Sequence, residues 1–169
     1  MVKHAMKYGV FIGVGLIIFS LLLYFFGLNQ NEFQFPGYII LALGIVAGVK
    51  QYRTEALSGF ISYRLSLKTG TAIALFSAFL FNFYTYIFYK FIDPSQLVKM
   101  LEQIKIQMAS QGRSEEETDL AMSLVDKFVS PGWLFISGLF GYTFIGFIFS
   151  LISSFFLKKE SSSSFPEQN

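Results

Sequence analysis

The chain has 169 residues, of which 53% are hydrophobic, 19% aromatic and 14% charged, with a formal net charge of +2. A soluble domain carries about 25% charged residues, so this balance, together with the lack of Cys, excludes a soluble enzyme, a disordered chain and a disulfide-stapled secreted module. The small net charge and the lack of a dense basic stripe argue against nucleic acid as a partner.

The N-terminus carries Lys3, His4 and Lys7, followed by the uncharged run Tyr8–Leu28. A hydrocarbon core about 30 Å thick needs roughly 20 apolar helical residues, each adding about 1.5 Å. This run is therefore expected to cross a membrane. It is too long for a signal-peptide core, and Leu28-Asn29-Gln30-Asn31 is no small-residue cleavage site, so it reads as an uncleaved anchor. After a short turn, Asn29–Glu32, a second span is expected over 33–49, with Pro36 suited to a first helical turn. Lys50–Glu55 is polar and basic, Gly59-Phe60-Ile61 reads as a turn, and Ser62 can cap a helix running through Arg64 and Lys68 into the third span. That span is expected over 69–89.

The connection from Lys90 to Gly132 is the longest. Asp93-Pro94 suits a helix start, and Leu97, Met100, Leu101, Ile104 and Met108 repeat at helical spacing until Gly112. Ser114 with Glu117 three residues on is a capping box. Leu120, Ala121, Leu124, Val125 and Phe128 then form the apolar stripe of a second helix, stopped by Ser130-Pro131-Gly132. The segment 94–129 is thus an amphipathic helical hairpin whose stripes must be covered by each other, by the bilayer or by a partner. The fourth span is expected over 133–157. The Ser-rich end, 160–169, reads as a disordered tail. The expected fold class is all-α, an integral membrane four-helix bundle in one domain, 1–159, with the hairpin between spans 3 and 4.

Basic residues set the orientation. Lys3 and Lys7, then Lys50, Arg53, Arg64 and Lys68, then Lys158 and Lys159, fall on one side if both termini are cytoplasmic. The expected location is the inner (cytoplasmic) membrane of a bacterium, with the hairpin outside. None of the four spans contains Asp, Glu, Lys, Arg or His. A transporter coupled to protons or ions usually keeps such a residue in the membrane, so its lack argues against that mechanism. With one His, read as solvated, and no Cys, the sequence offers no catalytic residue. It offers no cofactor site, and Glu115–Glu117 are accounted for as helix-start chemistry rather than a metal site.

Small residues recur at helix-packing spacing: Gly9 and Gly13, Gly44 and Gly48, Ala74 and Ala78, Ser137 and Gly141. Packing within one chain and homo-oligomerisation through Gly44 and Gly48 would both use this spacing. Asn82 is the most costly polar residue in a span, and an interhelical hydrogen bond is expected for it. Phe33, Phe35, Tyr38, Tyr84, Tyr86, Tyr89, Phe91 and Trp133 sit at span ends and read as interfacial anchors. A lipid-headgroup or isoprenoid site built from the same aromatics is the sharper reading.

Several stretches together carry a resemblance. They are Gly59-Phe60-Ile61-Ser62-Tyr63, Lys68-Thr69-Gly70 and the run from Tyr84 to Pro94, with Met100-Leu101-Glu102 and Gln107-Met108 leading to Gln111-Gly112 and Ser114-Glu115-Glu116, and finally Phe128 with Ser130-Pro131-Gly132. In these the chain resembles the domain-of-unknown-function family 4199, small four-span bacterial membrane proteins. The resemblance implies the four-span layout and no activity.

Two functions fit these readings. One is a non-catalytic scaffold or accessory subunit for an unknown membrane protein partner, with Leu97, Ile104, Leu124 and Phe128 as the partner surface. The alternative is a small lipid-carrier transporter or flippase-like partner of a membrane glycosyltransferase, with Lys50, Arg53, Arg64 and Lys68 contacting a lipid phosphate. In both, membrane lipids are partners.

Overall fold

A computed structural model describes residues 1–28, 34–112 and 114–159. The expected turn after the first span, the expected first residue of the second span at Phe33, and the tail 160–169 lie outside the described residues. The elements are α1 (Val2–Phe25), α2 (Gln34–Ala56), α3 (Tyr63–Ile87), a π-helical turn (Phe88–Ile92), α4 (Ser95–Ser110), α5 (Glu115–Phe128) and α6 (Pro131–Leu157). Among the described residues the only β-type pairing is a bridge between Ile61 and Lys159. The architecture is all-α, with four helices long and apolar enough to cross a membrane. Phe11, Phe25, Phe140 and Phe144 are among the many large apolar side chains on the outer surface. In water such a surface would drive association; in a bilayer it faces the solvent it prefers.

The helices outrun the apolar stretches. The third spanning helix, π turn included, has 30 residues, about 45 Å at 1.5 Å per residue, more than the hydrocarbon requires. At its start Ser62 accepts a hydrogen bond from the Leu65 N–H, as a capping residue should. α2 likewise runs through Lys50–Glu55, the stretch expected as a connection. Its backbone bonds are satisfied helically until the chain reverses at Ser58 and Gly59, both left-handed (φ 51° and 90°). Glycine takes that conformation without Cβ strain.

α3 is the central helix, packing most closely on α6 and α1, while α2 closes the bundle against all three. The contacts are made where side chains are small. Gly70 meets Ser150 and Gly146 meets Ala74 between α3 and α6; Gly9 meets Phe76, and Gly13 meets Leu80, between α1 and α3. Gly44 seats on Ile12, and Gly48 on Ile73 and Tyr8, so both α2 glycines are used inside the chain and offer no free face for a second copy. Leu16, Leu41, Ile45, Val49 and Ile73 fill the core around these contacts. The expected Ser137/Gly141 pair on α6 does not line the helix contact. Nothing lies within 4 Å of a Cβ built at Gly141, whereas Gly138 faces Asn82. The reason is phase: Gly138, Gly146, Ser150 and Ser153 share a face at 3.6-residue periodicity, and Gly141 points off it.

The buried polar side chains bond mostly to their own helices. Thr69 donates to the Leu65 carbonyl, Ser77 to Ala74 and Ser150 to Gly146. The Asn82 amide donates to the Ala78 carbonyl at 2.8 Å rather than across to a neighbour. Gly138 leaves room for its Oδ1 but presents no donor side chain.

At the terminal end the chain is clasped. Ile61 and Lys159 exchange two backbone hydrogen bonds of 2.9 Å, and the Arg53 guanidinium donates to the Leu157 carbonyl at 3.0 Å, satisfying an end group of α6. At the opposite end α4 and α5 form the hairpin. The Ser114/Glu117 capping box is complete, and Lys105 pairs with Asp119 across the hairpin at 3.7 Å.

Replacing Gly146 by Leu should destabilise the bundle by about 1–3 kcal/mol, because the added atoms meet Ala74 and cannot move aside. Gly141→Leu should fall within about 0.5 kcal/mol of wild type. Unfolding in mixed micelles measures both; equal losses would show that α6 does not turn its Gly146 face towards α3.

A tyrosine-lined cavity at the hairpin end

The four spans do not pack uniformly. In the half of the bundle nearer the hairpin they part around a half-open cavity of about 270 Å³. Interiors are otherwise close-packed, with few voids larger than a water. Leu16, Phe19, Ser20 and Leu23 of α1 form one wall, and Gly37 and Tyr38 of α2 another. α3 supplies Phe81, Asn82, Tyr84 and Thr85; α6 supplies Leu134 and Tyr142; Met100 of α4 reaches in from the hairpin. None of these residues is charged.

The wall is built by helical phase and by the π turn. Phe81, Tyr84 and Phe88 recur at i, i+3 and i+7 and face one way. Phe79 and Phe83, off that phase, are exposed on the outer surface. The extra residue of a π turn shifts the register, a feature common at functional sites, and here Phe88 is buried and Tyr89 lines the cavity. The rings touch in sequence: Tyr38–Tyr142 at 5.7 Å between centroids, Tyr142–Phe81 at 5.2 Å, Phe81–Tyr84 at 6.4 Å and Tyr84–Phe88 at 5.8 Å. Ring pairs tilted at these spacings are favourable beyond their area. Tyr38, Tyr84 and Tyr89, expected as interfacial anchors, therefore line the interior instead. Phe35, Phe91 and Trp133 remain exposed.

Beside the cavity lies a polar vestibule of about 580 Å³, bounded by the end of α1 (Tyr24, Phe25, Gly27, Leu28) and by Asp93, Gln96, Lys99 and Gln103. Tyr89 and Met100 border both spaces and form the partition between them. Asp93 is the hub of this region. Its Oδ1 accepts from the Ser95 N–H (3.1 Å) and hydroxyl, and its Oδ2 accepts from Gln96 Nε2 (2.9 Å) and the Tyr24 hydroxyl (3.0 Å). One carboxylate thus starts α4, ends the π turn and ties both to α1. The hydrogen bonds from Ser95 and Gln96, with smaller help from Tyr24, hold Asp93 at about 2, below its ordinary 3.8.

The other residues singled out in the sequence fall elsewhere. Lys50, Arg64 and Lys68 are exposed at the terminal end. Arg53 is half-buried and committed to the α6 carbonyl, which removes it from a freely presented phosphate-binding rim. On the hairpin, Leu97 and Ile104 are half-buried, while Leu124 and Phe128 are exposed together with Leu120. The four expected partner residues therefore do not form one surface. His4, expected to be solvated, is half-buried: its Nε2 lies 2.9 Å from the Gly48 carbonyl and its ring stacks on Tyr8 at 4.7 Å. It fastens the start of α1 to α2. Among the described residues no three His, Cys, Asp or Glu are grouped as metal ligands would be.

Asp93→Asn should lower the melting temperature in detergent at neutral pH, since the carboxylate loses acceptor strength towards four donors. A depressed folded-state pKa stabilises above the unfolded value and loses that contribution as the group protonates. The gap between wild type and Asp93→Asn should then be constant at neutral and mildly acidic pH, and close as pH falls from 3.8 towards about 2. A gap that instead widens with acid would exclude this role.

No curated protein and no solved structure matches the chain significantly. A family model, described as a protein of unknown function (DUF4199), matches residues 7–159, from the first span through the clasp at Lys159. The chain belongs to that family, and its own helices make it a multi-pass membrane protein, with four apolar spans and a hairpin between the third and fourth.

Proposed function

We propose that this protein is a non-catalytic accessory subunit or scaffold for another membrane protein, and that α5 is the surface it works with. One observation carries the reading. Leu120, Leu124 and Phe128, spaced by four on one face of α5, are 70%, 55% and 52% exposed, although the helix has a complete capping box and a braced start. A well-formed helix whose apolar stripe the described residues leave uncovered is built to have it covered by something else. Trp133 meets Phe128 edge-on at 5.3 Å and extends the stripe to the start of α6. The Arg53 guanidinium is already committed to structure, at the end of α6. That supports a role in binding rather than catalysis.

In this reading both termini lie in the cytoplasm and the hairpin on the far side of the bacterial inner membrane. The support is the basic residues at the terminal end, Lys3, Lys7, Lys50, Arg64 and Lys68. The chain has no Cys, so single-cysteine variants report cleanly. Ser110→Cys should react with an impermeant maleimide added to intact cells with a permeabilised outer membrane, and Lys3→Cys only after lysis. Labelling of both from one side would end the orientation.

A photo-crosslinker at position 120 or 124 should give a discrete protein adduct in cells, and one at 119 or 126, on the polar face, should not. Leu120→Glu with Leu124→Glu should abolish the adduct formed by a crosslinker at position 128 and leave the melting temperature within a few degrees of wild type. Adducts to lipid alone would replace the scaffold with a helix resting on the membrane surface. The second reading, lipid handling, is favoured by the tyrosine-lined cavity rather than by the basic rim.

A further inference from the structure

Membrane-spanning helices associate through close van der Waals contact. Elsewhere the spans of this chain follow that rule, with glycine against a neighbouring side chain. The cavity breaks it at the one place where all four spans and α4 converge. An opening there forfeits packing contacts of the residues around it, and the rings along its wall brace one another in series. Its chemistry is mixed. Leu16, Leu23 and Leu134 offer apolar surface; Ser20, Tyr38 and Tyr142 offer hydroxyls. That is the composition of a small-ligand site, apolar walls with a few placed polar groups. With no charged residue in the wall, it accepts an uncharged, largely apolar group.

The vestibule beyond Tyr89 and Met100 has the opposite character. Lys99 and Asp93 both border it, and among the described residues neither forms an ion pair. All four donors on Asp93 are neutral, so its charge remains uncompensated. A space bordered by one positive and one negative side chain suits a group that carries both signs.

We propose that cavity and vestibule form one binding site for a zwitterionic amphiphile, its chain between the spans beside Ser20 and Tyr142 and its headgroup between Lys99 and Asp93. A phospholipid carrying an ammonium and a phosphate has this chemistry. Met100 places the first helix of the hairpin over the chain, so occupancy bears on α4 and not on the exposed stripe of α5. The site does not depend on the scaffold reading: crosslinks from α5 and lipid retention are separate measurements.

The test uses the full chain in dodecyl maltoside with three palmitoyl probes: lysophosphatidylethanolamine (zwitterionic), lysophosphatidylglycerol (anionic) and monoacylglycerol (uncharged). Native mass spectrometry should show lysophosphatidylethanolamine retained about tenfold more strongly than the other two. Ser20→Phe fills the cavity and should reduce retention of all three probes at least tenfold. Lys99→Glu, at an exposed position where folding is not at stake, should remove the preference for lysophosphatidylethanolamine and leave monoacylglycerol unchanged. Equal retention of the three probes by the wild type overturns the headgroup assignment. Retention that survives a folded Ser20→Phe overturns the cavity, and if that variant does not fold, an unchanged Lys99→Glu profile overturns the site.

Discussion

In hydrocarbon the backbone must satisfy its own hydrogen bonds, and the lipid outside a bundle is as apolar as the side chains within it. Burial therefore adds little when one span meets another, and closeness of approach decides whether they stay together. In this chain closeness is set along α3. Its Gly70 and Ala74 meet Ser150 and Gly146 of α6, while Phe76 and Leu80 seat on Gly9 and Gly13 of α1. The core, the cavity and the position of the hairpin all inherit their geometry from these contacts.

The two ends of the bundle are finished differently. At the terminal end, polar groups close the structure: Arg53 satisfies the end of α6, a β-bridge fixes Lys159 to Ile61, and His4 joins α1 to Gly48. At the hairpin end the spans part around an aromatic-lined space, and a single carboxylate, Asp93, links the rim of α1 to the start of α4. Arg53, expected to bind a lipid phosphate, is occupied in holding helices together. Three of the tyrosines expected to hold helices in the interface instead surround a space that can bind something. Both reversals come from one fact: a long helix carries its ends past the membrane and its faces all round, and position along the sequence alone says nothing about which face is inward.

Much of the fold was legible in the sequence. The four spans follow from uncharged runs of sufficient length, and the hairpin from Ser114, Glu117 and the two apolar stripes, because caps and periodicity are local properties. The site was only half legible. The phase of Phe81, Tyr84 and Phe88 was available in the sequence and separates the inward face of α3 from Phe79 and Phe83. The π turn that places Tyr89 was not, since its extra residue depends on how Phe88 packs. Gly138, rather than Gly141, as the neighbour of Asn82 was equally hidden. Both lie on one apolar helix, and only its rotation against α3 distinguishes them.

The residues alone fix a membrane chain with four apolar runs, helix caps at Ser62 and Ser114, and no Asp, Glu, Lys, Arg or His in the expected spans. Those are consequences of transfer free energy and of hydrogen bonds a few residues apart, which each segment satisfies alone. The packing of helices selects which glycines meet a neighbour, makes fasteners of Arg53 and His4, leaves the α5 stripe uncovered by the described residues and lines a common space with four tyrosines. Those depend on the rotation and spacing of helices distant in the chain, and in a bilayer that rotation is fixed by shape complementarity between whole faces rather than by any single residue.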